Sequence, residues 1–381
     1  MTEENRHALI RLPTSGIEKA GSGPKRILSG MVTDVMEAAR SRVGSVALAR
    51  FPIGGHEFRE PDYRQILLWA AALKLDPLAI IQRLENAPWN GISRPLAFLV
   101  LDGAIEALVW DFSLLPIQKF EWVDGLVIRS IDFKGAATAS LALQLPLLDC
   151  LSCSGIGLAE LDLSNVPLLG SLGCGDNQLS ELDLSNVPLL EVLTCYDNQI
   201  TELDLSNAPR LTVLWCHSNL LTALDLSNVP LLTMLWTGSN RLSELDLSDV
   251  PLLRRLKCGK NQLTELDLSN VPLLSTNLDC DDNLLNEIDL SNVPLLQSLH
   301  CRNNRLTSLD LSKVTALRWL ECGGNPLTEL DLSCVPRLRH LDCEKSQLTE
   351  LDIRSQPELK YPRYDPSVKL RKLATQNFYN E

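Results

Sequence analysis

The chain has 381 residues, 45% hydrophobic and 22% charged, with a formal net charge of −13. That balance excludes a disordered chain and argues against nucleic acid as a partner, because neutralising phosphates takes clustered Lys and Arg. No segment reaches the roughly 18 uncharged apolar residues of a membrane span, and the opening residues carry no apolar run flanked by basic ones, so neither a membrane nor an export signal is expected and the expected location is cytoplasmic.

In chain order, three helices are expected first: Arg26–Arg42, Pro61–Leu75, and Asp76–Asn86 with Asp76 as N-cap and Pro77 at the first helical position. The last two have the order of a helix-turn-helix, but no Lys/Arg cluster marks a recognition helix, so they read as packing units. Two hairpins follow, one turning at Asp102-Gly103 and one at Asp124-Gly125, each between apolar alternations. Their strands are expected to template what comes next.

From there the chain repeats itself. The motif LDLS begins at Leu161, Leu182, Leu203, Leu224, Leu245, Leu266, Ile288, Leu309 and Leu330, with a degenerate copy at Leu351, at a spacing of 21 residues and one step of 22. The extra residue lies between Pro272 and Cys280, in the connecting segment, where backbone is least constrained. One unit reads P-L-L-x-x-L-x-C-x-x-N-x-L-T-E-L-D-L-S-N-V. Its L-x-C and L-D-L segments have period two, so two short extended stretches per coil are expected, Leu and Cys inward. A single coil cannot bury those residues, but coils stacked about 4.8 Å apart turn them into continuous ladders. The asparagines from Asn177 to Asn325 stand where each coil leaves the strand, and their amides can satisfy backbone groups there.

This unit resembles the leucine-rich repeat family, and more narrowly its short 21-residue bacterial class with the pattern L-x-x-L-x-C-x-x-N-x-L-x-x-L-D-L. The resemblance covers about Leu145 to Ser355 and implies an α+β chain: residues 1–145 as a helical and β-hairpin N-terminal cap, 146–355 as a solenoid of about ten repeats, and 356–381 as a C-terminal cap with a short basic helix. It points to no single function, since the family serves many roles on one scaffold.

Chemistry is sought in four places. Nine cysteines, from Cys153 to Cys343, share the inward slot, and Thr237 replaces one of them, which fits packing and breaks any relay. A single-file ladder does not converge as a zinc site must, and eleven cysteines in a chain with no export signal are expected to be reduced thiols. In the C-x-x-C of Cys150 to Cys153, residues three apart on a strand face opposite ways, so Cys150 is expected outward and no redox pair forms. The Asp and Glu of L-x-E-L-D-L form an outward acidic column, read as a solvated ladder rather than a calcium site. His217 and His300 lie four coils apart, too far for a dyad, and no nucleophile signature accompanies either. No metal, cofactor or enzymatic activity is expected.

The residues that vary sit on either side of the strand leucine and just after the cysteine, on the concave face. Coil by coil they give an apolar and aromatic strip (Tyr196, Trp215, His217, Met234, Trp236), a basic band (Arg255, Lys257), an acidic band (Asp279, Asp281), then His300, Arg302, Trp319 and Glu321. Exposed Trp, Tyr, Met and Arg are the stuff of interface hot spots. These residues are expected to bind a protein partner across the concave face of a monomeric chain. A self-assembling structural protein is the alternative, and a regulator or enzyme acting through the N-terminal region is a weaker one.

Overall fold

The computed structural model describes residues 51–53, 56–85, 98–101, 104–111, 126–135, 140–360, 362–373 and 376. The helix expected over Arg26–Arg42 and both Asp-Gly turns lie outside them. The chain divides into two compact units between Leu190 and Glu191.

In the first unit, β1 (Phe51–Ile53) and β2 (His56–Phe58) pair antiparallel. The two expected helices follow as α1 (Glu60–Leu73) and α2 (Pro77–Glu85). α1 stops at Lys74, which is left-handed at φ 55°. Asp76 caps α2, its Oδ1 accepting the Leu78 N–H at 2.8 Å. Asp62 of α1 is buried, paired with Arg59 at 3.0 Å, and accepts the Ile105 N–H at 2.9 Å. A buried carboxylate needs such partners, and here they pin the helix to the sheet. Trp69 packs on Trp110 with centroids 4.7 Å apart.

The sheet begins as expected, with β3 (Phe98–Leu101) antiparallel to β4 (Ala104–Asp111). β5 (Ser130–Lys134) then runs parallel to β4, and β7 (Cys150–Ser152) parallel to β5, with β6 (Ser140–Gln144) between them in sequence. The chain therefore adopts parallel pairing one strand before the repeats begin. β6 pairs with β8 (Glu160–Asn165), and β7 with β9 (Ser171–Gly173). Cys150 corrects an expectation: it is 2% exposed. It does lie on the strand face, as alternation requires, but between Ser130 and Ser171 where that face is covered.

The second unit carries eight three-residue strands: β10 (Val192–Thr194), β11 (Val213–Trp215), β12 (Met234–Trp236), β13 (Arg255–Lys257), β14 (Asn277–Asp279), β15 (Ser298–His300), β16 (Trp319–Glu321) and β17 (His340–Asp342). Each is parallel to the next, in register. Their central leucines and the following Cys or Thr237 are fully buried, forming the stacked core of a β-solenoid. The extra residue is absorbed just before β14, where Ser275 and Thr276 both donate to the Arg254 carbonyl.

Only one extended stretch per coil becomes a strand here. The L-D-L leucines are inward as expected, but in the second unit's internal coils these segments pair with nothing in a ladder. Each aspartate instead accepts the N–H of the serine two residues on, as Asp204 does from Ser206 at 2.8 Å. That local bond starts a turn and competes with sheet pairing. The asparagines act as expected: Asn219 Nδ2 donates to the carbonyls of Cys216 and, one coil back, Cys195, while its Oδ1 accepts the Ile200 N–H.

The C-terminal segment forms a strand where a basic helix was expected. β18 (Glu350–Asp352) pairs in parallel with β19 (Lys369–Arg371), setting Lys369 opposite Glu350, Leu370 opposite Leu351 and Arg371 opposite Asp352. The basic letters extend the acidic column by one complementary strand, and Arg371 also pairs with Glu350.

Candidate functional site on the strand face

Parallel, in-register pairing at a period of 21 fixes which side chains meet on the second unit's strand face. One row runs Met234, Arg255, Asn277, with Ser298, Trp319 and His340 continuing it. The other runs Trp215, Trp236, Lys257, Asp279, His300, Glu321, Asp342.

At the start of this face the exposure expected of the aromatics is corrected. Tyr196 is 4% exposed and Trp215 only 1%. Stacking is one physical reason. Strands about 4.8 Å apart place equivalent rings face to face: Trp215 lies on Trp236 with centroids 4.4 Å apart and planes 10° apart, and Tyr196 on His217 at 5.0 Å. The Trp215 Nε1–H is directed at the Met234 sulfur, 3.2 Å away. Met234, Trp236 and His217 are half-buried, and burial holds the His217 imidazole below its usual pKa. Lys257 sets its ammonium over Trp236, 4.6 Å from the ring centroid, a cation–π contact. Arg255 Nε donates to Thr276 Oγ1.

Further along lies a cluster that reading each coil separately does not reveal. Glu321 is buried, which also corrects its expected exposure, and it gathers four neighbours. Its Oε2 is 2.9 Å from His300 Nδ1 and 2.9 Å from Arg302 Nη1; its Oε1 accepts the Trp319 Nε1–H at 2.7 Å and lies 3.3 Å from His340 Nε2. Burial pushes the Glu321 carboxyl up, but the bonds from Trp319 and His300 and the Arg302 charge outweigh it and hold it below the usual range. Arg302 also forks to the buried Asp342, which Arg363 reaches at 3.2 Å from its other side. Asp281 Oδ1 accepts the Arg302 N–H at 2.6 Å, and burial with the neighbouring Asp279 charge raises its carboxyl to about 6. Trp319 is 42% exposed and lies flat on His340, centroids 3.8 Å apart.

Ser298 Oγ is 2.9 Å from His300 Nε2, which completes a hydroxyl–imidazole–carboxylate chain with Glu321. That is the order of a hydrolytic triad. Ser298, however, lies within a strand, and strand N–H groups lie in the plane of the sheet rather than above it. The main chain therefore aims no donors at an oxyanion over Ser298.

The repeat register and the thiol ladder place this chain among known structures. Its likeness extends to the functional domain of InlJ from Listeria monocytogenes, which includes a cysteine ladder: 28% identity, 81% of this chain and 70% of that one, TM-score 0.59. The chain is a leucine-rich repeat protein of the bacterial type. This repeat protein is also similar to YopM from Yersinia enterocolitica WA-314, at 26% identity over 64% of each chain with a TM-score of 0.50. No protein-family model and no curated protein matches it. In this leucine-rich repeat chain all eleven cysteines are free, ten of them buried and Cys334 exposed.

Proposed function

We propose that the chain is a protein-interaction module and that the strand face of its second unit is where a protein partner docks. The observation that carries this reading is Trp319. A large aromatic ring that is 42% exposed, stacked on His340 and tied through Nε1 to Glu321, is an anchor already fixed in its bound form. Pre-ordered Trp costs little entropy on binding and suits a hot spot. Tyr196 and Trp215 leave the proposed contact set, since they are buried. Met234, Trp236, Arg255, Lys257, Asp279, His300 and Arg302 remain in it, each half-buried and facing the same way. The basic Arg255 and Lys257 beside the acidic Asp279 and Asp281 would set the partner's orientation and on-rate more than its affinity. Eleven free thiols support a reducing working compartment. The experiment is capture from the source cell with wild type, Trp319→Ala and Trp236→Ala. A partner retained by wild type and lost by Trp319→Ala, with unchanged melting, is expected; equal capture by both overturns the reading.

A second reading rests on a different feature. Leu231, Leu252 and Leu295, each following a proline, are 44%, 39% and 50% exposed and stand at equivalent positions of their coils, with half-buried Leu273 between the last two. Such an apolar stripe favours self-association. Sedimentation of the wild type against Leu252→Glu/Leu295→Glu decides it: a monomer at all concentrations removes this reading.

A further inference from the structure

We propose that Asp281, His300 and Glu321 form a binding site for one divalent first-row transition-metal ion of the zinc class. The three residues come from three consecutive coils, and one donor atom of each lies within 4.8 Å of the other two. Ligands about 2.0–2.2 Å from a common ion lie roughly 3–4 Å apart, so small side-chain rotations close the set. Imidazole combined with carboxylate selects zinc, nickel or iron over calcium and magnesium, which take all-oxygen shells.

The surroundings fit a ligand sphere. His300 Nδ1 faces Glu321 at 2.9 Å, where a shared proton now joins them; a metal on Nδ1 takes that place. His300 Nε2 then donates to Ser298 Oγ at 2.9 Å, fixing the tautomer and the ring plane as outer partners of metal-bound histidines do. This role accounts for Ser298 without catalysis. Glu321 is held by Trp319 Nε1 and by Arg302, and the Arg302 charge is matched in turn by Asp342. Asp279, opposite His300, and Asp281 make no ion pair among the described residues, so the local charge is left negative in a half-buried setting. A dication offsets that. His340 Nε2 is shielded from water, makes no hydrogen bond, and lies 3.3 Å from the far oxygen of Glu321, a second imidazole beside the set. The site shares His300 and Asp281 with the proposed docking face, but its test reads bound metal rather than partner capture, so the two readings fail separately.

The test uses the full chain, stripped with chelator and dialysed, then titrated with zinc chloride and assayed for bound metal. One zinc per chain is expected. His300→Ala and Asp281→Asn should each weaken it at least tenfold, while His217→Ala, a histidine elsewhere on the same face, should leave it unchanged. Circular dichroism verifies that each variant folds. Cobalt(II) should give ligand-field bands without thiolate charge transfer, and Cys334→Ser, at the one exposed thiol, should bind as wild type does. Absence of binding to wild type, binding that survives His300→Ala, or binding lost in Cys334→Ser overturns the proposal.

Discussion

His300 and Glu321 stand one repeat apart in sequence and meet across adjacent strands, Nδ1 to Oε2 at 2.9 Å. Because Arg302 and Trp319 converge on the same buried carboxylate and His340 Nε2 lies 3.3 Å from its other oxygen, Glu321 ties together three coils. Glu321→Ala leaves His300 and Arg302 short of a partner in a poorly hydrated place, and such losses cost about 2–3 kcal/mol. Glu321→Gln keeps the acceptor for Trp319 and should cost about half as much by the same reasoning. Urea denaturation followed by tryptophan fluorescence measures both. A cost below about 0.5 kcal/mol for Glu321→Ala would mean the hub is not holding these coils.

Asp281 and Glu321 pull stability in opposite directions with pH. Burial raises the folded Asp281 carboxyl to about 6, against an unfolded value near 3.9. It therefore binds its proton more tightly when folded. Its ionisation disfavours the fold above about pH 6, and stability is regained as pH falls toward 4. Glu321 is held low, so its contribution is present at neutral pH and lost only below the ordinary glutamate range. Asp281→Asn should accordingly stabilise the chain at pH 7.5 by about 1–2 kcal/mol, the full shift being reduced by partial exposure, and approach wild type as pH falls below about 4. Melting with chelator present, across that range, measures it; a destabilised Asn variant at pH 7.5 contradicts the assignment.

The repeat made the scaffold legible. Leu214, Cys216 and Asn219 do what their period demands, because stacking leaves an inward residue one environment only. The acidic column was legible as outward but not as non-strand, since Asp204 bonds its own turn rather than a neighbouring strand. On the strand face, reading each coil separately hid the site. Adding one period to His300 gives Glu321, and adding it to Trp319 gives His340, so the cluster was present in the spacing. Burial of Trp215 was not legible in the same way, because it depends on how neighbouring rings stack and on what else covers the face. The basic tail was misread because helix and strand patterns are ambiguous in so short a segment, and pairing with Glu350 and Asp352 decided it.

Each coil also spends one residue in the left-handed region just before its asparagine. In the second unit's coils that residue is Asp197, Ser218, Ser239, Lys260, Asp282, Asn303 and Gly324 in turn, with φ between 50° and 73°. A side chain there costs about 1–2 kcal/mol, while glycine loses about 0.5–1 kcal/mol more backbone entropy on folding. Lys260→Gly should thus gain up to about 1 kcal/mol. Gly324→Ala should lose more than that, because its Cβ would strike the Asn303 side chain in addition to the strained φ. Thermal melting of the pair gives opposite signs; equal signs refute the steric account.

Thr237 takes the slot that Cys216 and Cys258 hold in the coils on either side, and all three are fully buried. Burial raises the Cys216 thiol to about 12 and pushes Cys258 higher still, so neither forms thiolate at neutral pH. A thiol reagent should therefore label one cysteine per chain, Cys334, in the native state, and all eleven after denaturation. Rapid labelling of a second thiol would show that the ladder opens. The Thr237 hydroxyl, by contrast, faces the Cys216 thiol, a weak partner, and makes no well-formed hydrogen bond. A buried hydroxyl without one costs about 1 kcal/mol or more, so Thr237→Cys, which restores the ladder without changing its volume much, should stabilise the chain by about that amount. If Thr237→Cys melts lower than wild type, the slot wants a hydroxyl rather than a small apolar group, and the packing account of the ladder fails at the coil where it was easiest to see.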